Sequence, residues 1–331
     1  MSKSALIIGC GSIGSRHAKN LDSLGIDLSV FDIDTNEQRE LAEELDANMP
    51  TSVKDGLAEN PDMAFICTPS NHHVQPAKKA AEAGCALFVE KPLSNNMEGV
   101  EELVQTAEEH ELISMIGCNY RFHPAIKEIK RLLHEDAVGE IISARIETGS
   151  YLPDWHPWED YREMYSAKEG IGGVLLDAIH GINYGRWFFE DESLVSGFLG
   201  YESSLEIETE DTASLLVKYE NGIQCEYHFD YVQRIPIRSG QITGESGMIR
   251  WGGKDKQVVR FDIEKDQWIV ERGYEDYETN EMYLEMTKHF LKCVENRKQT
   301  TSPLHEGQKD LDIAIKAKES YESGKHIETN S

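Results

Sequence analysis

Along the first third of the chain, short apolar runs alternate with segments whose apolar residues recur at helical spacing. Ala5 to Ile8, Leu28 to Phe31, Met63 to Cys67, Ala86 to Val89 and Ile113 to Gly117 are nearly continuous in apolar residues, as strands buried on both faces are. Asn36 to Leu45, Gln75 to Ala83 and Met97 to His110 read as helices between them. This alternation predicts a parallel sheet covered on both sides. The rhythm changes at "CNYRFHPAIKEIKRLL", where a helix is predicted from about Pro124 with Ile126, Ile129, Leu132 and Leu133 at helical spacing. Period-2 segments follow at Glu140 to Glu147, Thr212 to Tyr219, Ile223 to Tyr231, Gly247 to Trp251 and Val258 to Ile263. Asn221-Gly222, between two of these, predicts a hairpin with a type I′ turn. One helix over Gly172 to Phe189 interrupts the strands, and two more, Asn280 to Glu295 and Leu304 to Tyr321, close the chain.

A length of 331 residues is enough for two cores. A formal net charge of −27 disfavours the phosphate backbone of nucleic acid and anionic membrane surfaces, and neither is expected as a partner. The six cysteines form no C-x-x-C pair, and the first residues carry no signal-peptide pattern. A reduced, cytoplasmic protein is expected, and no His, Cys, Asp and Glu set recurs at metal-ligand spacing.

Chemistry enters with "IIGCGSIGSRHAKNL". Gly9, Gly11 and Gly14 form G-x-G-x-x-G between an apolar strand and a helix. The first glycine permits a tight turn, the second lets backbone approach a pyrophosphate, and the third lets helix and strand pack closely. Ser12 and Ile13 complete that loop, and the helix N-terminus offers N–H groups to the anion. Asp32 ends the next strand, placed to accept hydrogen bonds from the adenosine ribose. A 2′-phosphate would instead meet Asp32 and Asp34. Two unit charges about 4 Å apart repel by about 4 kcal/mol at an effective dielectric near 20. NAD is therefore expected in preference to NADP. In "FICTPSNHH", Thr68 and Pro69 follow the next strand and line the cofactor crevice. Asn71 and His73 are candidates for the nicotinamide half, against a simpler reading of His72 and His73 as loop polarity. The fold predicted is α/β. A Rossmann dinucleotide-binding domain (residues 1–122) precedes an α/β domain (123–331) with a large, mostly antiparallel open sheet, the C-terminal helix free to pack back on the first domain.

The glycine motif, "CTPSNHH", "EKPL", "GCNYRFHPA", "GGVLLDAIHGINYGRWFF" and "SPLHEGQKDLDIAIKAKESYESGK", in this order, resemble the Gfo/Idh/MocA family of oxidoreductases over nearly the whole chain. The resemblance implies NAD(P)-dependent hydride transfer on the carbinol carbon of a sugar, polyol or nucleotide sugar. It also implies a homodimer or homotetramer formed through the C-terminal sheet. Lys91, at the tip of a strand between Glu90 and Pro92, then lies beside nicotinamide and the reacting hydroxyl. An ammonium fixed there can stabilise charge developing on the substrate oxygen. Glu90 is a candidate to orient Lys91, and a cis Pro92 would turn the side chain inward. Asp177 and His180 stand at i and i+3, on one face of a helix, and a histidine steered by a carboxylate is a plausible general base. By the resemblance, His180 is the acid/base and Asp177 its partner. The family form has three residues between them and this chain has two.

Asn119 and Arg121, with His123, match a family segment at the domain junction, Arg121 either binding an anion or holding the junction. In "YLPDWHPWEDYREMYSAK", Trp155, Tyr161, Tyr165 and Lys168 are candidates for a sugar platform, or for an aromatic loop over the domain interface. Other readings of the same scaffold are an imine or enone reductase, a redox-assisted glycoside-cleaving enzyme, or a non-enzymatic NAD-binding regulator.

Overall fold

The computed structural model describes residues 3–329. In its first part the chain runs β1 (Ser4–Ile8), α1 (Ser12–Asp22), β2 (Asp27–Phe31), α2 (Thr35–Leu45), α3 (Val53–Ala58), β3 (Met63–Ile66), α4 (Val74–Glu82), β4 (Ala86–Val89), α5 (Val100–Glu109) and β5 (Ser114–Ile116). The five strands form a parallel sheet in the order β2-β1-β3-β4-β5. Leu6, Ile7, Phe65, Ile66, Leu87, Phe88 and Val89 lie in its core. Residues near Met97 are not helical: Gly99 takes φ +70° and α5 starts only at Val100.

Next come α6 (Pro124–His134), β6 (Ile141–Gly149), α7 (Val174–Asp177), α8 (Ile179–Phe189) and β7 (Glu192–Gly200). The strands β8 (Thr212–Tyr219), β9 (Gln224–Asp230), β10 (Ile237–Gly244), β11 (Gly247–Gly252), β12 (Gln257–Asp262) and β13 (Gln267–Gly273) follow. Helices α9 (Thr279–Asn296) and α10 (Leu304–Ser323) and a short β14 (Ile327–Glu328) close the chain. A nine-stranded sheet runs β13-β12-β11-β10-β6-β9-β8-β7-β14, antiparallel except for the β6–β9 pair. This is the mostly antiparallel sheet the sequence predicts. On β8 and β9 the alternation is strict, with Leu215, Val217, Tyr219, Cys225, Tyr227 and Phe229 inward.

Besides the two-residue β14, three strands escaped the sequence reading for physical reasons. β10 carries Gly240, against which the Trp251 ring lies so closely that a Cβ would stand 2.1 Å from it. β7 carries Gly197, seated on the Ala317 backbone, and β13 is an edge strand whose apolar stretch is only Trp268 to Val270, between Gln267 and Glu271. The β8–β9 hairpin is also not type I′: Gly222 has φ +92° but Asn221 is not among the positive-φ residues. Tyr219 N–H donates to the Ile223 carbonyl and Gly222 N–H to that of Tyr219, so a three-residue loop ends on a left-handed glycine.

Two compact units result. One is the chain up to Asn119 together with Thr279–Leu311; the other is Tyr120–Glu278 with the chain from Asp312 on. The first is discontinuous because α9 lies on its sheet: Phe290 meets Phe65 and Phe88 edge-on at 5.5 and 5.7 Å, and Arg16 stacks on Tyr283 at 4.7 Å.

Candidate active site

In the first unit, the candidate groups follow the carboxyl ends of the five parallel strands. Gly9 has φ +101°, and a Cβ on it would stand 2.6 Å from the Cys67 carbonyl carbon. A Cβ on Gly14 would stand 1.8 Å from the Gly9 oxygen, so helix α1 rests directly on the turn. Gly11 differs: its nearest neighbour would be Glu37 Oε2 at 3.9 Å. With Ser12 exposed and Ile13 half-buried, the turn leaves backbone N–H groups open at the start of α1. Asp32 Oδ2 accepts from Cys10 N–H at 2.6 Å and Oδ1 from Asp34 N–H at 2.8 Å. Each oxygen keeps a lone pair for a ribose hydroxyl. Asp34 caps α2 through Asn36 N–H. Burial, then Asp32 and Asp34, raise the Glu37 carboxyl above its ordinary range, a measure of how acidic this strand end is. The residues present therefore fit NAD, and an added 2′-phosphate would meet like charge. Burial and then Asp32 push the Cys10 thiol up to about 12, so it is no nucleophile.

His73 is buried, with Nδ1 2.8 Å from the Pro92 carbonyl and Nε2 2.6 Å from the Thr68 carbonyl. Both ring nitrogens face backbone carbonyls, only one of which can take the single N–H of the neutral ring, so the ring packs between the Thr68 loop and the Lys91-Pro92 turn rather than presenting a nitrogen to nicotinamide. Burial lowers its pKa, against the raising effect of those carbonyls. Lys91 is half-buried beyond β4, and the Lys91–Pro92 bond is cis. Glu90 is buried; its Oε2 accepts from Lys91 N–H at 3.1 Å, so it holds the lysine's backbone. Asn119 is also buried, and its Oδ1 finds no hydrogen-bond partner among the described residues.

In the second unit, the helix predicted over 172–189 is broken. Ala178 (φ −85°, ψ 12°) ends α7 and precedes α8, so Asp177 and His180 do not share one continuous helical face. Asp177 is buried and accepts from Tyr165 Oη at 2.9 Å and from Tyr231 Oη at 2.5 Å. Burial and then Asp177 hold the Tyr231 hydroxyl well above its usual pKa, keeping it a donor. His180, half-buried, lies 4.9 Å from the Tyr120 ring. Arg121 is buried, donating from Nε to Asn183 Oδ1 at 2.7 Å with Trp187 below it at 5.4 Å, so it braces α8.

The aromatic loop is tied internally. Trp155 Nε1 donates to Ser150 at 2.8 Å, the Tyr161 hydroxyl accepts from Glu206 N–H at 3.3 Å, and Lys168 Nζ donates to Glu163 at 3.0 Å. Tyr165 and Lys168 thus have different partners. Among the described residues no group of three or more His, Cys, Asp and Glu side chains is placed to hold a metal.

Sequence reasoning passed over Tyr231 and Glu210. Tyr231 continues the inward parity of Tyr227 and Phe229, which was the available signal. Glu210 Oε1 accepts from Leu175 N–H at 3.3 Å and its other oxygen meets Lys318 at 3.4 Å, anchoring the start of α7. Nothing in its local sequence marks it.

Residues 3–120 match a model described as an oxidoreductase family with an NAD-binding Rossmann fold, and residues 126–250 match the GFO/IDH/MocA C-terminal domain. The chain is 26% identical to a myo-inositol 2-dehydrogenase of Thermotoga maritima, over 97% of each protein. It is 29% identical to a 2,7-anhydro-N-acetylneuraminate hydratase of Mediterraneibacter gnavus, over 82% of this chain and 73% of that one. A levoglucosan dehydrogenase solved with NADH and L-sorbose superposes with a TM-score of 0.89 at 17% identity, covering 100% of both chains, which shows a shared fold.

Proposed function

The chain belongs to the Gfo/Idh/MocA family of NAD-dependent oxidoreductases, and from that premise we propose that it oxidises or reduces the carbinol carbon of a sugar, polyol or nucleotide sugar. The observation that carries this reading is the clustering, past the carboxyl ends of one parallel sheet, of an open glycine turn, the Asp32 carboxylate and Lys91 on a turn gripped by Glu90. NAD, when bound, supplies the hydride acceptor at nicotinamide C4. In the oxidation direction the carbinol C–H leaves with its electron pair, the O–H proton leaves separately, and a carbonyl forms. Lys91 hydrogen-bonds the reacting oxygen and stabilises the negative charge growing on it. His180 takes the hydroxyl proton, and in reduction returns it. Asp177, held by Tyr165 and Tyr231, acts as an orienting group in the substrate pocket. Asn119, Trp155 and Tyr161 are assigned to substrate; Arg121, Tyr165 and Lys168 serve it through their protein partners.

The test is NADH formation with a panel of myo-inositol, levoglucosan and UDP-N-acetylglucosamine. Lys91→Ala and His180→Ala are each expected to lower kcat by about 10²- to 10⁴-fold on the compound that turns over. Turnover within a few-fold of wild type in both variants would sink the assignment. A second reading is favoured by the likeness to the hydratase, since addition of water is redox-neutral overall. It predicts product from 2,7-anhydro-N-acetylneuraminate with no net NADH. A cytoplasmic homodimer or homotetramer through the nine-stranded sheet completes the proposal.

A further inference from the structure

One buried polar contact in the first unit is not used by the reaction as assigned above. His17, on the inward side of α1, is fully buried, and its Nε2 lies 2.7 Å from Glu90 Oε1. The ring is surrounded by Phe88 at 4.8 Å, Phe65 at 5.8 Å and Tyr283 at 6.0 Å. A carboxylate oxygen only accepts, so Nε2 carries the hydrogen. Nδ1 has no hydrogen-bond partner among the described residues. An unsatisfied polar atom in a core costs free energy that an apolar side chain of similar size would not. Space-filling is therefore a poor account of His17.

The other end of the contact supplies a better one. Glu90 Oε2 receives the backbone N–H of Lys91, so one oxygen is held by His17 and the other holds the lysine's amide. Gly117 closes a third side: a Cβ there would stand 2.7 Å from Oε1. Across the same turn, His73 Nδ1 lies 2.8 Å from the Pro92 carbonyl. The backbone at Lys91 is thus flanked by polar contacts before and after the lysine. We propose that His17 is a positioning residue that fixes the Lys91 ammonium through Glu90. The proposal rests on the assignment of Lys91 to the reacting oxygen. A misplacement of about 1 Å far from the chemistry can cost on the order of 10²-fold in rate.

Two variants of the full chain separate the link from packing. His17→Gln keeps an N–H donor near the Nε2 position, and His17→Leu fills the volume without one. Lys91 reactivity is read in the chain without substrate, as the rate of acetylation by acetic anhydride at each lysine, resolved by peptide mass spectrometry. In His17→Leu the Lys91 rate is expected to change by ~3-fold or more, with exposed Lys19 unchanged, and in His17→Gln to stay near wild type. With myo-inositol as probe, His17→Leu is expected to lower kcat by ~10- to 100-fold with NADH affinity retained, and His17→Gln to restore most of it. In a Lys91→Ala background His17→Leu should add no further loss. An equal loss with and without Lys91, or an unchanged Lys91 acetylation rate, would overturn the proposal. If His17→Leu does not fold, Glu90→Gln carries the same labelling comparison. Should Lys91→Ala itself leave turnover intact, the role of Lys91 falls, while labelling still reports whether His17 reaches it.

Discussion

We assign the choice of cofactor to Asp32. Its two oxygens each take one backbone N–H, which aims the carboxylate outward from the end of β2, and Asp34 and Glu37 stand on the same side. Asp32→Ser is expected to weaken NADH binding by about tenfold, the worth of one hydrogen bond to a charged group, and to narrow the preference over NADPH by at least about as much. Titration of NADH and NADPH by nucleotide fluorescence measures both. An unchanged ratio of the two dissociation constants would place the discrimination elsewhere. The lysine and histidine variants belong to this scale too: in the proposed mechanism each removes a group whose interaction strengthens only in the transition state, so kcat rather than KM should move.

Helix α6 begins on an unusual cap. His123 Nδ1 accepts from Ala125 N–H at 3.2 Å, which only an unprotonated Nδ1 can do. Burial holds its pKa down to about 4, against 6.5 for an ordinary histidine. Between those values the unfolded chain binds a proton that the native chain refuses. This contribution is whole above pH 6.5 and is lost as pH falls towards 4, by at most about 3 kcal/mol. Asparagine caps well and does not titrate, so His123→Asn should lose less stability than wild type between pH 7 and pH 4.5. Urea midpoints at the two pH values test this; equal losses would show that His123 does not titrate with unfolding. Helix α8 shows a different constraint: a Cβ on Gly185 would stand 2.0 Å from the Tyr227 hydroxyl, so the glycine sets how closely α8 approaches β9.

At the scale of the molecule, the outer face of the nine-stranded sheet carries two exposed apolar groups, one on β7 and β8 and one on β13, with the charged Arg145, Glu226 and Arg250 between them. The strand register places Phe198, Leu216, Trp268 and Val270 on the side opposite the buried Val195, Val217, Cys225 and Ile249, and all four are exposed, Phe198 by 74%. We propose that these groups take part in a subunit contact. Phe198→Asp should shift the sedimentation coefficient towards that of a 37.5 kDa monomer without changing the melting curve of the isolated subunit. A wild-type chain that already sediments as a monomer would remove the basis for this assignment. No helix among the described residues is long and apolar enough to cross a membrane.

The sequence alone determined the parallel sheet, the glycine turn with Asp32 beyond it, and the alternation of β8 and β9, because each is written in neighbouring residues. Periods of 2 and 3.6 and the φ +101° demanded of Gly9 are local properties of the chain. Only the tertiary structure decided where polar side chains end their hydrogen bonds. Asp177 turned to Tyr165 and Tyr231, His73 to two backbone carbonyls, Arg121 to Asn183, and Glu90 to His17, from which it is separated by most of the first sheet's sequence. The same holds for β7 and β10, whose glycines make room for groups distant in sequence, and for the break at Ala178. A buried donor or acceptor takes whatever partner folding brings within about 3 Å, and that partner is set by contacts far along the chain.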